Sequence, residues 1–173
     1  MIASTPFSTG TRLSETARAV TLARYHKWQK AIVLHRGAFA IIEEDPEAEE
    51  SVVLAAMTDL SFCLHEASEF EDARKLNAEA LARPEIVFGK DDPALLRTVC
   101  NLAQNEFALG HPDRSVELMR RRLAIAEQHE ILDVIGATLR DLAIASFSAG
   151  DGAGAKDLFR RRQLRHSSSQ GGP

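Results

Sequence analysis

The sequence predicts an all-α fold of stacked antiparallel helix hairpins, and three observations predict it. The small residues Ala31, Ala73, Ser115 and Ala155 recur at steps of 42, 42 and 40 residues, each just after a turn-like segment. Apolar residues between these marks return at three- and four-residue steps, the period of a helix buried on one side. Short turn segments separate the helical stretches, which forces consecutive helices to run antiparallel.

The 173 residues suit one domain or one short repeat array. A content of 45% hydrophobic residues with six prolines argues against disorder. The formal charge of −4 divides unevenly: residues 1–93 carry 10 basic and 16 acidic groups, the rest 11 and 9. That asymmetry is too weak to indicate nucleic acid as a partner. Cys63 and Cys100 lie in different repeats without a second cysteine nearby, so both are read as free thiols of a reduced, cytoplasmic protein. No apolar run approaches the roughly 18 residues of a membrane span, and no membrane partner is expected.

Along the chain, residues 1–11 are read as a flexible N-terminus and Ser167 to Pro173 as a disordered tail. The stretch Met1 to Thr21, rich in Ser and Thr with Arg12 and Arg18, is taken as a frayed lead into the first helix rather than an organellar transit segment. Hairpins are placed at about 12–43, 52–84, 93–128 and 131–165. Val53, Leu54, Met57, Leu60 and Leu64 mark one first helix. Leu95, Val99, Leu102 and Ala103 mark the next, and Ile135, Leu139, Leu142 and Ala143 the last. The second helices carry Ala73, Leu76, Ala80 and Leu81, then Val116, Met119, Leu123 and Ile125, then Ala155, Leu158 and Phe159. A small residue after each turn lets the two helices cross closely. Gly110 and Gly150 supply the helix-ending conformation; Ser68 and His26 fill that place less well, so the first two turns are expected to be longer or less regular. Between hairpins, Asp92 is a candidate N-cap with Pro93 at the first helical position. Ile42 to Pro46 is read as an earlier boundary of the same kind, and Glu127 to Glu130 as a shortened one.

Phe88-Gly89-Lys90-Asp91-Asp92-Pro93, Cys100-Asn101-Leu102-Ala103, Leu109-Gly110 and Arg122-Leu123-Ala124-Ile125, spaced over one period, resemble the tetratricopeptide repeat in its 42-residue, kinesin-light-chain-like variety. The resemblance covers residues 52 to 164 well and 12 to 43 less well. It implies a right-handed α-solenoid of about 3.5 to 4 repeats whose first helices line a concave groove. Ala38 and Ala80 match the family's small residue before the closing leucine, whereas Arg122 and Arg162 depart from it. Either the later helices are rotated or a guanidinium snorkels along the groove between helices.

The resemblance also carries the groove positions across. They fall on Thr58, Asp59, Phe62, His65 and Glu66, then Arg97, Cys100, Asn101, Gln104 and Phe107, then Ala137, Arg140, Asp141, Ile144 and Phe147. Of these, Asp59, Phe62, Arg97, Asn101, Gln104, Arg140, Asp141 and Ile144 are the candidate peptide-binding residues. Asp59, Asn101 and Asp141 share one place in three repeats and either bond a ligand's main chain or serve as solvated polar positions. Arg97 and Arg140 suit a carboxylate. Phe62, Phe107 and Phe147 either line apolar pockets or join the core, the commoner fate of phenylalanine. Thr58, Asp59 and Ala137 stand where a chaperone-tail clamp needs other side chains, which disfavours that ligand.

No phosphate loop precedes a helix, and no histidine has a second ligand at helical spacing. No cofactor, metal or catalytic group is therefore assigned. The arginine runs 120–122 and 160–162, with Arg165, are read as a solvated outer stripe. The expected role is a protein- or peptide-binding adaptor. The alternatives are a self-associating scaffold, a homo-oligomer joined through an uncovered apolar flank of the last hairpin, and an enzyme on a helical-repeat frame.

Overall fold

The computed structural model describes residues 27–170, and these form seven α-helices and one short 3-10 turn, with no strand among the described residues. The helices are α1 (Trp28–Glu43), α2 (Glu50–Glu66), α3 (Phe70–Phe88), α4 (Leu96–Ala108), α5 (Pro112–Gln128), α6 (Leu132–Ser148) and α7 (Gly152–Gln170). The expected first helix, Arg12 to Arg24, and the first turn at His26 lie outside the described residues. The chain divides into two compact units, residues 1–76 and 77–173.

In the first unit α1 packs on α2. Ala31, Ile32, Leu60, Cys63, Leu64 and Ala73 form its buried core, with Trp28, Phe39 and Leu76 against it. In the second unit α5 packs on α4 and α6, and α6 on α7. Its main core gathers Leu96, Ala103, Met119, Leu123, Ile125, Ile135, Leu139 and Leu142, all with little or no exposure. Burial of each large side chain is worth about 1.5–3 kcal/mol, so these apolar stripes outweigh helix propensity in holding the hairpins.

The period marks behave as their size predicts. Ala31, Ala73, Ser115 and Ala155 are 0 to 2% exposed, each one turn into its helix. A larger side chain there would push the paired helices apart.

Four helix ends close in the same way. Ser68, Gly110, Glu130 and Gly150 all adopt positive φ, and the next residue's N–H donates to a carbonyl five residues back, at 2.9 Å in each case. The turn at Ser68 has three residues between helices, as do those at Gly110 and Gly150. The expected irregularity is therefore absent there, because serine can take the left-handed conformation when the closing bonds are made. The shortened connection also reuses this closure, through Glu130.

The longer connection after α3 begins at Gly89, with φ of 91°. Asp92 accepts from the Ala94 N–H at 2.8 Å with Pro93 in the first position, but the cap opens a 3-10 turn before α4. Arg121 donates to the Lys90 carbonyl at 2.6 Å and a His129 ring nitrogen lies 3.1 Å from the Asp91 carbonyl, pinning this connection to α5. At the other end Asp151 caps α7 by accepting from the Gly154 N–H at 2.8 Å.

Three boundaries differ from expectation. Helix α3 continues through Pro84 to Phe88, at the cost of one backbone hydrogen bond. Helix α2 starts at Glu50, so Pro46 does not open it. Backbone helix also continues through Gln170, into the segment expected to be a tail; once started, a helix extends at little cost when no proline intervenes.

Helix α7 carries both polar and apolar residues on its uncovered surface. Forty residues after buried Val116, Leu123 and Ile125, it carries the exposed Lys156, Gln163 and Arg165. Phe159, in the place of buried Met119, is 41% exposed, and Leu164 on the same helix is 64% exposed.

Candidate peptide-binding surface

The first helix of each pair buries two residues, exposes one, and repeats the pattern. On α2, Leu60, Ser61, Cys63 and Leu64 are buried while Phe62 is exposed; on α4, Leu102, Ala103, Asn105 and Glu106 are buried and Gln104 is exposed. On α6, Leu142, Ala143, Ala145 and Ser146 flank exposed Ile144 in the same way. The sequence-derived positions just before, Asp59, Asn101 and Asp141, are half-buried in all three helices. Each such helix thus presents one half-buried polar group beside one exposed side chain.

In the first unit, Asp59 lies within electrostatic reach of His35 and Cys63. His35, on α1, is 4% exposed; burial lowers its pKa and Asp59 opposes that shift. Burial, then Asp59 and Glu66, pushes the Cys63 thiol up to about 11. Phe62 is 40% exposed and stands edge-on to Trp28, ring centres 6.0 Å apart. Thr58 drops out of the ligand-facing set: it is buried, and its hydroxyl donates to the Leu54 carbonyl at 2.6 Å.

In the second unit, Arg97 and Gln104 on α4 and Arg140 and Ile144 on α6 are exposed, with Asn101 and Asp141 half-buried among them. Arg140 Nε donates to Asp141 Oδ1 at 2.9 Å. That bond raises the Arg140 pKa, so the guanidinium is charged at any working pH. The Asn101 side-chain nitrogen is buried and has no hydrogen-bond partner, an arrangement proteins avoid unless something supplies the acceptor. Cys100, half-buried, has its thiol pKa raised, chiefly by burial, with Arg122 and Arg140 opposing and Asp141 adding to the rise. Cys100 on α4 therefore sits close to the Arg140–Asp141 pair on α6.

Phenylalanine is where expectation and structure part. Phe62, Phe107 and Phe147 are 40%, 39% and 71% exposed, so none is a core residue. Phe62 stands between two buried doublets, whereas Phe107 and Phe147 follow the second doublet of their helices. Glu106, in contrast, is buried at the place of Leu64 and Ser146, and a His111 ring nitrogen lies 2.8 Å from its carboxylate across the turn.

Sequence reasoning left the environment of Arg122 open. Its helix is not rotated; the guanidinium lies between neighbouring helices, as the second alternative has it, and the residue is 9% exposed, at the place of buried Ala38 and Ala80. Its Nε donates to the Leu96 carbonyl at 3.2 Å and another nitrogen to Thr138 Oγ1 at 2.7 Å. The departure from alanine was the available signal. The remaining arginines are outer-wall residues: Arg161 and Arg165 pair with Glu127, and Arg160 and Arg162 are exposed. Cys63 and Cys100 are free thiols. Among the described residues there is no cluster of three or more His, Cys, Asp or Glu able to hold a metal, and no helix long and apolar enough to cross a membrane.

Comparison with known proteins agrees with this geometry. Residues 54–128 match the tetratricopeptide repeat family model. No curated protein matches the chain by sequence. Among solved structures, BtubC (BKLC) from P. vanneervenii is similar with a TM-score of 0.83 and 21% identity, over 94% of this chain and 65% of that one. A putative kinesin light chain from Podosopora anserina, with nearly identical TPR-like repeats, gives 0.64 and 17%, over 96% of this chain and 100% of that one. The Rap conjugation gene regulator of the plasmid pLS20, solved in complex with the Phr* peptide, gives 0.75 and 14%, over 95% of this chain and 48% of that one. The chain thus spans about two thirds of the first of these neighbours and about half of the last. Repeat spacing, helix-end closure, burial pattern and the family-model match together identify residues 54–128 as tetratricopeptide repeats.

Proposed function

We propose that this protein is an adaptor or sensor module that binds a peptide or protein segment along the exposed face of its first helices. The carrying observation is Asn101: a buried amide nitrogen without an acceptor, on a face that also presents Arg97, Gln104, Arg140 and Ile144. An extended peptide offers a carbonyl every residue, and one such oxygen would complete Asn101. Arg97 and Arg140 favour an acidic side chain or a free carboxylate beside it, and Ile144 offers an apolar contact. Asp59 and Phe62 present the corresponding polar and aromatic pair in the first unit. The Rap regulator solved with a peptide shows that a protein of this fold class binds one, which supports the reading by analogy of fold.

Peptides selected from a random display library on the parent protein provide the test. Asn101→Ala should weaken the best selected peptide about three- to tenfold, the worth of one hydrogen bond, while the melting temperature falls by no more than a few degrees. Equal affinity of mutant and parent would overturn the assignment of this face.

A further inference from the structure

Arg122 is hard to explain as a stabilising residue. A buried guanidinium has to be desolvated, and replacing such a charge by an apolar side chain of similar volume is often neutral or favourable. The same place in the two earlier repeats holds Ala38 and Ala80, both buried, so the fold does not require a cation there. What distinguishes Arg122 is where its bonds go. It projects from α5 and reaches a main-chain oxygen at the start of α4, Leu96 O at 3.2 Å, and a side chain in α6, Thr138 Oγ1 at 2.7 Å. Thr138 is itself fully buried and fixed, because its hydroxyl donates to the Val134 carbonyl at 2.6 Å. The guanidinium is rigid and planar, so two bonds in different directions fix the separation of the groups that accept them.

We propose that Arg122 is a positioning residue for the ligand-facing surface of the second unit, a tie that sets how far α4 holds Asn101 and Gln104 from Asp141 and Ile144 on α6. Its importance for ligand binding rests on the peptide-binding reading above; the tie itself does not. Without it the two helices keep their apolar contacts with α5 but lose a polar connection that spans both. Their separation then varies more, and a ligand touching both helices meets a less organised surface.

Spin labels placed at the exposed positions Gln104→Cys and Ile144→Cys, in a background carrying Cys63→Ala and Cys100→Ala, report that separation through dipolar broadening of the continuous-wave spectrum. Arg122→Met in this background keeps the volume and removes the donors. It should remain folded, with a melting temperature near that of the labelled parent, yet lose part of the broadening and widen the distance distribution. If Arg122→Met does not fold, Arg122→Lys retains the charge without the planar fork, and the same loss of broadening is expected. Parent-like broadening in a folded variant would overturn the tie. Since no ligand enters the measurement, that outcome is distinct from failure of the peptide-binding reading.

Discussion

Four helix ends sharing one left-handed closure make opposite predictions for glycine and non-glycine residues. At Gly110 (φ 82°) and Gly150 (φ 91°) a β-carbon would meet nothing within 4 Å, so steric contact contributes nothing and only the backbone preference is at stake. Alanine at either position should cost about 1 kcal/mol, the usual penalty for an L-residue held at positive φ. At Ser68 (φ 64°) and Glu130 (φ 54°) the penalty is already present in the parent. Glycine there removes about 1–2 kcal/mol of strain and adds about 0.5–1 kcal/mol of chain entropy loss, a net gain of up to about 1.5 kcal/mol. For a chain of this size each 1 kcal/mol moves the melting temperature by about 2–4 °C. Urea unfolding followed by circular dichroism should raise the midpoint for Ser68→Gly and Glu130→Gly and lower it for Gly110→Ala and Gly150→Ala. A lowered midpoint for Ser68→Gly, or an unchanged one for Gly110→Ala, would refute the shared closure.

Two further outcomes follow from buried titratable groups. His35 has its pKa held below 6.5 by burial, so the unfolded chain takes up the proton first as pH falls; stability is fully present above about pH 6.5 and declines below it until the folded pKa is reached. The melting temperature should therefore drop between about pH 7.5 and pH 5.5, with a shallower drop in His35→Gln; an equally steep drop in the variant would remove His35 as the cause. Cys63, 1% exposed with its thiol pKa pushed up to about 11, should stay unreactive toward a disulfide reagent in native protein near pH 8 and react on unfolding. Rapid native labelling of Cys63 in a Cys100→Ala protein would contradict its burial.

The fold was legible because its determinants are local and periodic. Ala73, Ser115 and Ala155 mark helix crossings through side-chain size alone, and Gly110 and Gly150 mark helix ends through φ alone. Glu130 escaped because a non-glycine residue in the left-handed region has no sequence signature; Ser68 was placed by its position in the repeat, but not the regularity of its turn. Phe107 and Phe147 escaped for another reason: the hydrophobic period admits either edge of the stripe, and the edge they occupy is decided by the width of the neighbouring helix contact. At the surface, the register of Asn101 and Asp141 could be counted from the repeat, but the missing acceptor at Asn101 depends on packing between helices and the Arg140–Asp141 bond on the side-chain rotamers of two neighbouring residues. Arg122 shows the same boundary. Its departure from alanine was visible; its reach to Leu96 and Thr138 required coordinates.

The central claim is that ligand lies on the face of α4 and α6. A photo-crosslinking amino acid placed at Gln104, and separately at exposed Arg120 on α5, tests it most directly against peptides selected on the parent protein. The account predicts covalent capture of peptide from position 104 and none from position 120; capture from position 120 with none from 104 would contradict it.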